Sequence, residues 1–318
     1  MEKQNSFNKD GLRPQLLADY VGQIRIRNNL SIYVEAAKRR KESLDHVLFY
    51  GPPGLGKTTM AVIIANEMRS FVHYTSAANI EKPSDLATLL ASIATNDVLF
   101  IDEFHRLNRV VEEILYPVME DFHLSIIVSG NDGTSRSLNI QIPHFTLVGA
   151  TTKIGGISAP LRSRFGIVEK LSYYSESELG EIVRRTASIM NVKIENDAST
   201  EIAKRSRGTP RVANRLFKRV YDFALFGKEE CITKNLVERA MESIQIDCSG
   251  LEEADREYLR TLKYRFNERA VGVEAISSVM NEDITTIVEI IEPFLIQKNL
   301  INRTAKGREL TKLGLDYV

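Results

Sequence analysis

The clearest chemistry in the chain belongs to Gly51-Pro-Pro-Gly-Leu-Gly-Lys-Thr58. An apolar, β-favouring run, His46-Val-Leu-Phe-Tyr50, precedes it, and a helix-period run, Met60-Ala-Val-Ile-Ile-Ala65, follows. Strand, glycine loop and helix in that order make a phosphate cradle. Glycines let backbone N–H groups curl round an anion without Cβ clashes, and the next helix points its positive end at the same place. Lys57 is then expected to reach the β- and γ-phosphates of a nucleotide, with the Thr58 hydroxyl on Mg²⁺. An ordinary glycine/proline turn explains neither the lysine and threonine in register nor the correct flanks. A second constellation is Val98-Leu-Phe-Ile-Asp-Glu103, an apolar run ending in two carboxylates. A buried parallel strand delivering acids at its C-terminal end suits a nucleotide site in an open α/β sheet. Asp102 would hold Mg²⁺ through water, and Glu103 would polarise the water that attacks the γ-phosphate.

Other stretches carry two readings each. Phe145-Thr-Leu-Val-Gly-Ala-Thr-Thr152 is a further buried strand ending in two hydroxyls. In Ser158-Ala-Pro-Leu-Arg-Ser-Arg-Phe-Gly166, Arg162 and Arg164 are surface charge or groups that stabilise a transferring phosphoryl, on this subunit or a neighbour. Arg211, in the first turn of a helix opened by Thr209-Pro210, is a solvated charge or a group closing over a nucleotide. Leu124 to Ile142 alternates apolar and polar residues around Ser129-Gly-Asn-Asp-Gly133, a hairpin that is a plain surface loop or a docking finger. Near the C-terminus Lys298, Arg303, Lys306, Arg308 and Lys312 face only Glu309 in sequence. They read as a solvated tip or a contact for phosphate backbone without base reading. No aromatic residues alternate with these charges, so no single-strand stacking platform is expected.

These residues need elements to hold them. The 318 residues suffice for two or three domains. Lys+Arg and Asp+Glu both total 42, so nucleic-acid contact must come from a local patch. No apolar run approaches membrane-spanning length, and MEKQNSFNKD is a polar tail, not a signal peptide. Cys231 and Cys248 are too far apart for a C-x-x-C pair and read as part-buried reduced thiols, and histidine spacing gives no structural zinc. Leu12-Arg-Pro14 runs extended before a helix from about Gln23. Phe71–Thr75 is a second strand and Asp85–Ile93 a helix. From about Leu171 the pattern is helical, with a Ser175-x-x-Glu178 capping box, a helix ended by Gly208, and the next helix inward at Val212, Leu216, Val220 and Phe223. Helices at Asp255–Phe266, Val273–Met280 and Ile284–Lys298, then strand, turn and strand over Leu300–Leu310, suggest a winged helix. The expected division is an α/β P-loop domain over 1–172, a small all-α lid over 173–247 and a winged-helix DNA-binding domain over 248–318.

With these residues in place the chain resembles the RuvB family of AAA+ ATPases, bacterial motors of Holliday junction branch migration. The resemblance runs from Leu12 to about Thr311 through HVLFYGPPGLGKTT, DVLFIDEFHRLNRVVEEILYPVMEDF, FTLVGATT, PLRSRFGIVEKL, RGTPRVANRL and EPFLIQKNLINRT. It implies that Leu12 and Arg13 line the base side of ATP and that Gly54, Lys57, Thr58 and Thr59 form its phosphate loop. It adds Glu120, Asp121 and Phe122 to nucleotide binding and makes Thr152 the polar sensor. Arg164 becomes an arginine finger acting on the adjacent subunit's ATP, and Tyr174 and Arg211 become lid-side contacts. Arg303 and Arg308 become the wing's DNA contacts, and the hairpin about 124–142 becomes the docking finger for RuvA. A homo-hexamer round duplex DNA at four-way junctions, a resolvase of the same pathway as a further partner, and a cytoplasmic location are also implied. The chain departs from the family at Ile284, where a third arginine is common, at Ala77-Ala78 in place of a Gly-Pro pair, and in a hairpin tip about one residue longer.

Together these imply an ATP hydrolase coupled to DNA translocation. A sliding-clamp loader would share the P-loop, acids and finger but not the wing or hairpin. A nucleotide-switched DNA-binding module would need neither Glu103 nor Arg164.

Overall fold

The computed structural model describes residues 11–129 and 135–318; the expected N-terminal tail and most of the hairpin tip lie outside the described residues. The chain forms two compact units, one of residues 1–178 with Thr209–Arg211, the other of Leu179–Gly208 with Val212–Val318.

In the first unit, helix α1 (Ile24–Arg40) leads to strand β1 (Val47–Tyr50), helix α2 (Lys57–Met68), β2 (Val72–Ser76), α3 (Pro83–Ala91), β3 (Val98–Asp102) and α4 (Arg109–Glu120). A hairpin of β4 (His123–Ser129) and β5 (Ser135–Gln141) follows, then β6 (Thr146–Thr151), α5 (Ala159–Arg162) and β7 (Ile167–Lys170). Five strands pair in the order β2-β3-β6-β1-β7, all parallel. Val47, Leu48, Phe49, Leu99, Ile101, Leu147 and Val148 are fully buried, as expected of strands covered on both faces. Because every strand runs the same way, β1, β3 and β6 present Gly51, Asp102 and Thr151 along one edge of the sheet. The hairpin pairs antiparallel from His123↔Gln141 to Ser129↔Ser135 and anchors through buried Leu124.

Helix α6 (Glu176–Ile189) begins in the first unit and continues into the second. Its capping box is present: Glu178 Oε2 accepts from the Ser175 N–H at 2.7 Å, and Ser175 Oγ accepts from the Glu178 N–H at 3.3 Å. The second unit adds α7 (Asn196–Lys204), α8 (Pro210–Gly227) and α9 (Lys234–Ser243). The lid is not purely helical, since β8 (Lys193–Ile194) pairs parallel with β9 (Cys231–Ile232). Nor does Gly208 end α7. That helix stops at Lys204, and Arg207 and Gly208 turn the chain with φ +52 and +69. Cys248 is exposed, not part-buried.

The remainder is α10 (Glu253–Arg260), α11 (Val273–Met280), α12 (Ile284–Thr286), α13 (Glu292–Gln297), the wing strands β10 (Ile301–Thr304) and β11 (Gly307–Leu310), and α14 (Lys312–Tyr317). Tyr258, Leu259, Ile276, Ile287, Phe294 and Leu295 fill its core. Two expected α-helices are interrupted. A π-helical turn at Thr261–Arg265 continues α10, and another at Ile287–Ile291 joins α12 to α13. The second has a local cause: Pro293 has no N–H to give the preceding turn. Helix α14, absent from the sequence expectation, is capped by Thr311, whose side chain accepts from the Gly314 N–H at 3.0 Å.

Candidate functional site

Gly51, Gly54 and Gly56 take φ of +139, +81 and +100, so the loop after β1 uses backbone that a side chain would strain. Lys57 opens α2 and is buried. Its Nζ donates to the carbonyls of Gly51 and Pro52, each at 2.8 Å. Burial pushes the ammonium down to about 8, against the carboxylates of Asp102 and Glu103 and with Arg211 adding to the depression. A lysine held in a glycine cradle at a helix start, facing two carboxylates, fits a polyphosphate with its divalent cation.

Several other expected residues lie along this edge of the sheet. Thr58 and Thr59 follow Lys57 at the start of α2. Thr152 directly follows β6, beside the loop entrance where the Gly51 N–H donates to the Thr151 carbonyl at 3.2 Å. Asp102 ends β3, and its Oδ1 accepts from the Glu103 N–H at 2.9 Å. Glu103 itself is left-handed, φ +52, strained backbone of the kind that gathers at reacting centres. Tyr174 donates to the Leu55 carbonyl of the loop at 3.2 Å, and burial pushes its phenol up to about 12. The Arg211 N–H reaches the Gly54 carbonyl at 3.4 Å. Leu12 and Arg13 belong to the segment before α1, which bends at Arg13 and makes a 3-10 turn at Leu17–Asp19 rather than running extended throughout. That segment is tied to α2 by Asn66 Nδ2, which donates to the Gln15 carbonyl at 2.9 Å.

Sequence reasoning missed two residues here. Tyr20 Oη lies 2.7 Å from Tyr174 Oη and donates to the same Leu55 carbonyl at 3.2 Å, so two phenols brace the phosphate loop. Its segment, Tyr20-Val-Gly-Gln23, carries no local pattern that announces this. His105 sits 3.6 Å from Glu103 Oε2 through Nε2, and its Nδ1 lies 2.9 Å from Thr151 Oγ1. Its place two residues after the acids was the available signal.

A second group of expected residues lies elsewhere. Arg164 stands before β7, and Gly166 packs so closely on Asp45 that an added Cβ would lie 3.0 Å from the Asp45 Cβ. From Asp45 to Gly51 is six residue steps along β1, ~20 Å of extended chain. Arg164 is therefore at the opposite edge of the sheet from Lys57, beyond the reach of one side chain. Its guanidinium pairs with Glu120 at 3.1 Å, donates to the Pro160 carbonyl at 2.7 Å, and lies 4.5 Å over the Tyr116 ring. Glu120 ends α4, with Asp121 and Phe122 next. Phe122 has φ +51 and its ring centroid is 4.1 Å from that of His144. Phe122, His144 and Arg164 border one cleft of about 650 Å³ with Lys41, Asp45 and Asn96.

The third group is the wing. Arg303 and Arg308 face each other across β10 and β11. They are not simply solvated: both guanidiniums bind Glu292, which is fully buried, Arg308 Nε at 2.9 Å. The charge count that opposed only Glu309 to this patch was therefore incomplete, because Glu292 lies outside the hairpin in sequence and reaches it through the fold.

Known proteins match the chain over its length. Family models match as the Holliday junction DNA helicase RuvB P-loop domain at 12–171, the RuvB AAA lid domain at 174–247 and the RuvB C-terminal winged helix domain at 248–318. The Holliday junction branch migration complex subunit RuvB of Lactiplantibacillus plantarum is 48% identical, covering 100% of this chain and 94% of its own length. A mutant of Thermotoga maritima RuvB superposes with a TM-score of 0.87 at 45% identity, covering 96% of this chain and 98% of its own. The structure described as the Thermotoga maritima RuvB Holliday junction branch migration motor gives 0.85 at the same identity, over 96% and 97%. Three consecutive family matches and an end-to-end relative agree with the geometry, and the chain belongs to the RuvB family.

Proposed function

We propose that this protein is an ATP-driven motor subunit that moves duplex DNA through Holliday junctions, as a homo-hexameric ring with a RuvA-type partner docked on the hairpin 124–142. The proposed working division is a P-loop domain over 1–172, a lid over 173–247 and a winged helix over 248–318. In this reading Lys57 holds the β- and γ-phosphates, while Leu12, Arg13, Gly54, Thr59, Tyr174 and Arg211 seat the rest of the nucleotide. Thr58 and Asp102 would hold Mg²⁺, which offsets negative charge on the phosphates. Glu103 orients and polarises the attacking water, and Thr152 lies beside the γ-phosphate position. Arg164, with Glu120, Asp121 and Phe122, serves the nucleotide of the adjoining subunit. Arg303 and Arg308 contact the phosphate backbone, as a translocase indifferent to sequence requires. A cytoplasmic location suits a protein acting on chromosomal DNA.

The observation that carries this reading is the separation of Arg164 from Lys57 across the sheet. A finger that cannot serve its own pocket makes catalysis a property of neighbours. Subunits carrying Lys57→Ala and subunits carrying Arg164→Ala should each be inactive alone. Mixed in equal amounts they should regain activity, because about a quarter of random neighbour pairs join an intact loop to an intact finger. A mixture as inactive as its parts would refute the shared site. ATP-dependent migration of a synthetic four-way junction, with and without RuvA from the same cell, separates this function from a clamp loader or a passive switch.

A further inference from the structure

Glu292 is fully buried, yet it pairs with both arginines of the wing hairpin. Its Oε1 accepts from Tyr258 Oη at 2.9 Å and from Arg308 Nε at 2.9 Å, and its Oε2 takes Arg303 through Nε and a terminal nitrogen. The arrangement begins with Pro293. The Glu292 N–H closes the π-turn onto the Ile287 carbonyl, and Pro293 has no N–H. Neither donor that would ordinarily reach the Val288 carbonyl is left for it. Arg303 fills the gap, donating a terminal N–H to that carbonyl at 3.1 Å. The interrupted helix therefore fixes Arg303 at two acceptors at once. Its side chain nevertheless stays 40% exposed, against 19% for Arg308.

We propose that Glu292 is a positioning residue for DNA: it locks the wing arginines so that Arg303 presents a fixed guanidinium edge to the phosphate backbone. This rests on the reading of Arg303 as a backbone contact. Arg303 and Arg308 are directly opposed in the ladder, where like charges repel, and one shared carboxylate lets both sit there. A flexible arginine loses much side-chain entropy on binding phosphate, and a clamped one has already lost it. Tyr258 completes the clamp from α10, and Arg308 anchors the strand beneath, its backbone bonded to Val271 in both directions at 2.8 and 2.9 Å.

The clamp predicts an effect opposite in sign to simple electrostatics. Glu292→Gln removes a negative charge next to DNA, which by charge alone should tighten binding. Positioning predicts instead at least about fivefold weaker binding of the full-length protein to duplex DNA, and a log K against log salt slope shallower by ~1. Unchanged or tighter binding by the folded variant would overturn the proposal. Tyr258→Phe keeps both carboxylate and charge and should weaken binding about two- to threefold; if Glu292→Gln does not fold, unchanged binding by Tyr258→Phe overturns the proposal in its place. Arg303→Ala must also weaken binding, and adding Glu292→Gln to it should lower affinity little further, because the group being positioned is gone. Additive losses in the double variant would show a merely structural role and defeat the clamp alone. Full affinity and slope in Arg303→Ala would instead remove the DNA reading of the wing, and the clamp with it.

Discussion

Glu103 leaves β3 with a left-handed backbone and a side chain close to His105, which itself touches Thr151 on the neighbouring strand. The strain is tolerated because Asp102 accepts the Glu103 N–H and the strand behind it is fully buried. The Glu103 side chain stays 42% exposed, so a water can reach the carboxylate. Glu103→Gln keeps shape and backbone but loses the charge. It should bind ATP as the parent does while turnover falls by ~10² or more, read by nucleotide-binding and phosphate-release assays. Undiminished turnover would remove Glu103 from the reaction.

Single elements carry their own tests. His46 precedes β1, and its ring joins two neighbours: Nδ1 accepts from the Leu147 N–H at 2.9 Å, and Nε2 donates to the Met119 carbonyl at 3.1 Å. Burial pushes this imidazole down to about 4, against the Met119 carbonyl and Asp45. The unfolded chain takes up the proton first, so the stability is fully present above about pH 6.5 and is lost as pH falls toward about 4, ~3 kcal/mol in all. Melting the parent and His46→Gln across that window should show a steeper acid loss in the parent. The wing depends on Gly307, whose φ is +133 and where an added Cβ would lie 2.4 Å from the Val271 carbonyl oxygen. Gly307→Ala should cost more than ~1 kcal/mol and shift the thermal transition down. It should also weaken DNA binding, because Arg308 is the next residue along the strand.

At the scale of the whole molecule, the parallel sheet sorts the chemistry. Its C-terminal edge carries Lys57, Asp102, Glu103 and Thr152, and its N-terminal edge carries Arg164. On the proposed role of Arg164 in a neighbour's site, activity per subunit should rise with protein concentration until assembly saturates. A dilution series of ATPase measurements that stayed flat, with subunits shown by light scattering to be monomeric, would contradict shared sites. The surface charge argues in the same direction for DNA. With equal acid and base totals, the proposed DNA contact is a local patch, and binding through the wing arginines should fall steeply with salt.

The phosphate loop, the acid pair, the capping box and the wing hairpin were all legible in the sequence. Each is a short run whose backbone and chemistry are fixed by neighbouring residue types: glycines at positive φ, an apolar strand, a serine three residues before a glutamate. What the sequence left open was decided over distance. Tyr20 meets Tyr174 across 154 positions, and Glu292 takes Tyr258, Arg303 and Arg308 from three different elements. The π-turn that turns Arg303 toward the Val288 carbonyl follows from Pro293, but its partner could be known only once helix and wing were packed. Sequence determined which groups the chain owns. Tertiary structure decided which of them share a site, because buried charges and orphaned carbonyls take whatever donors packing brings within about 3 Å.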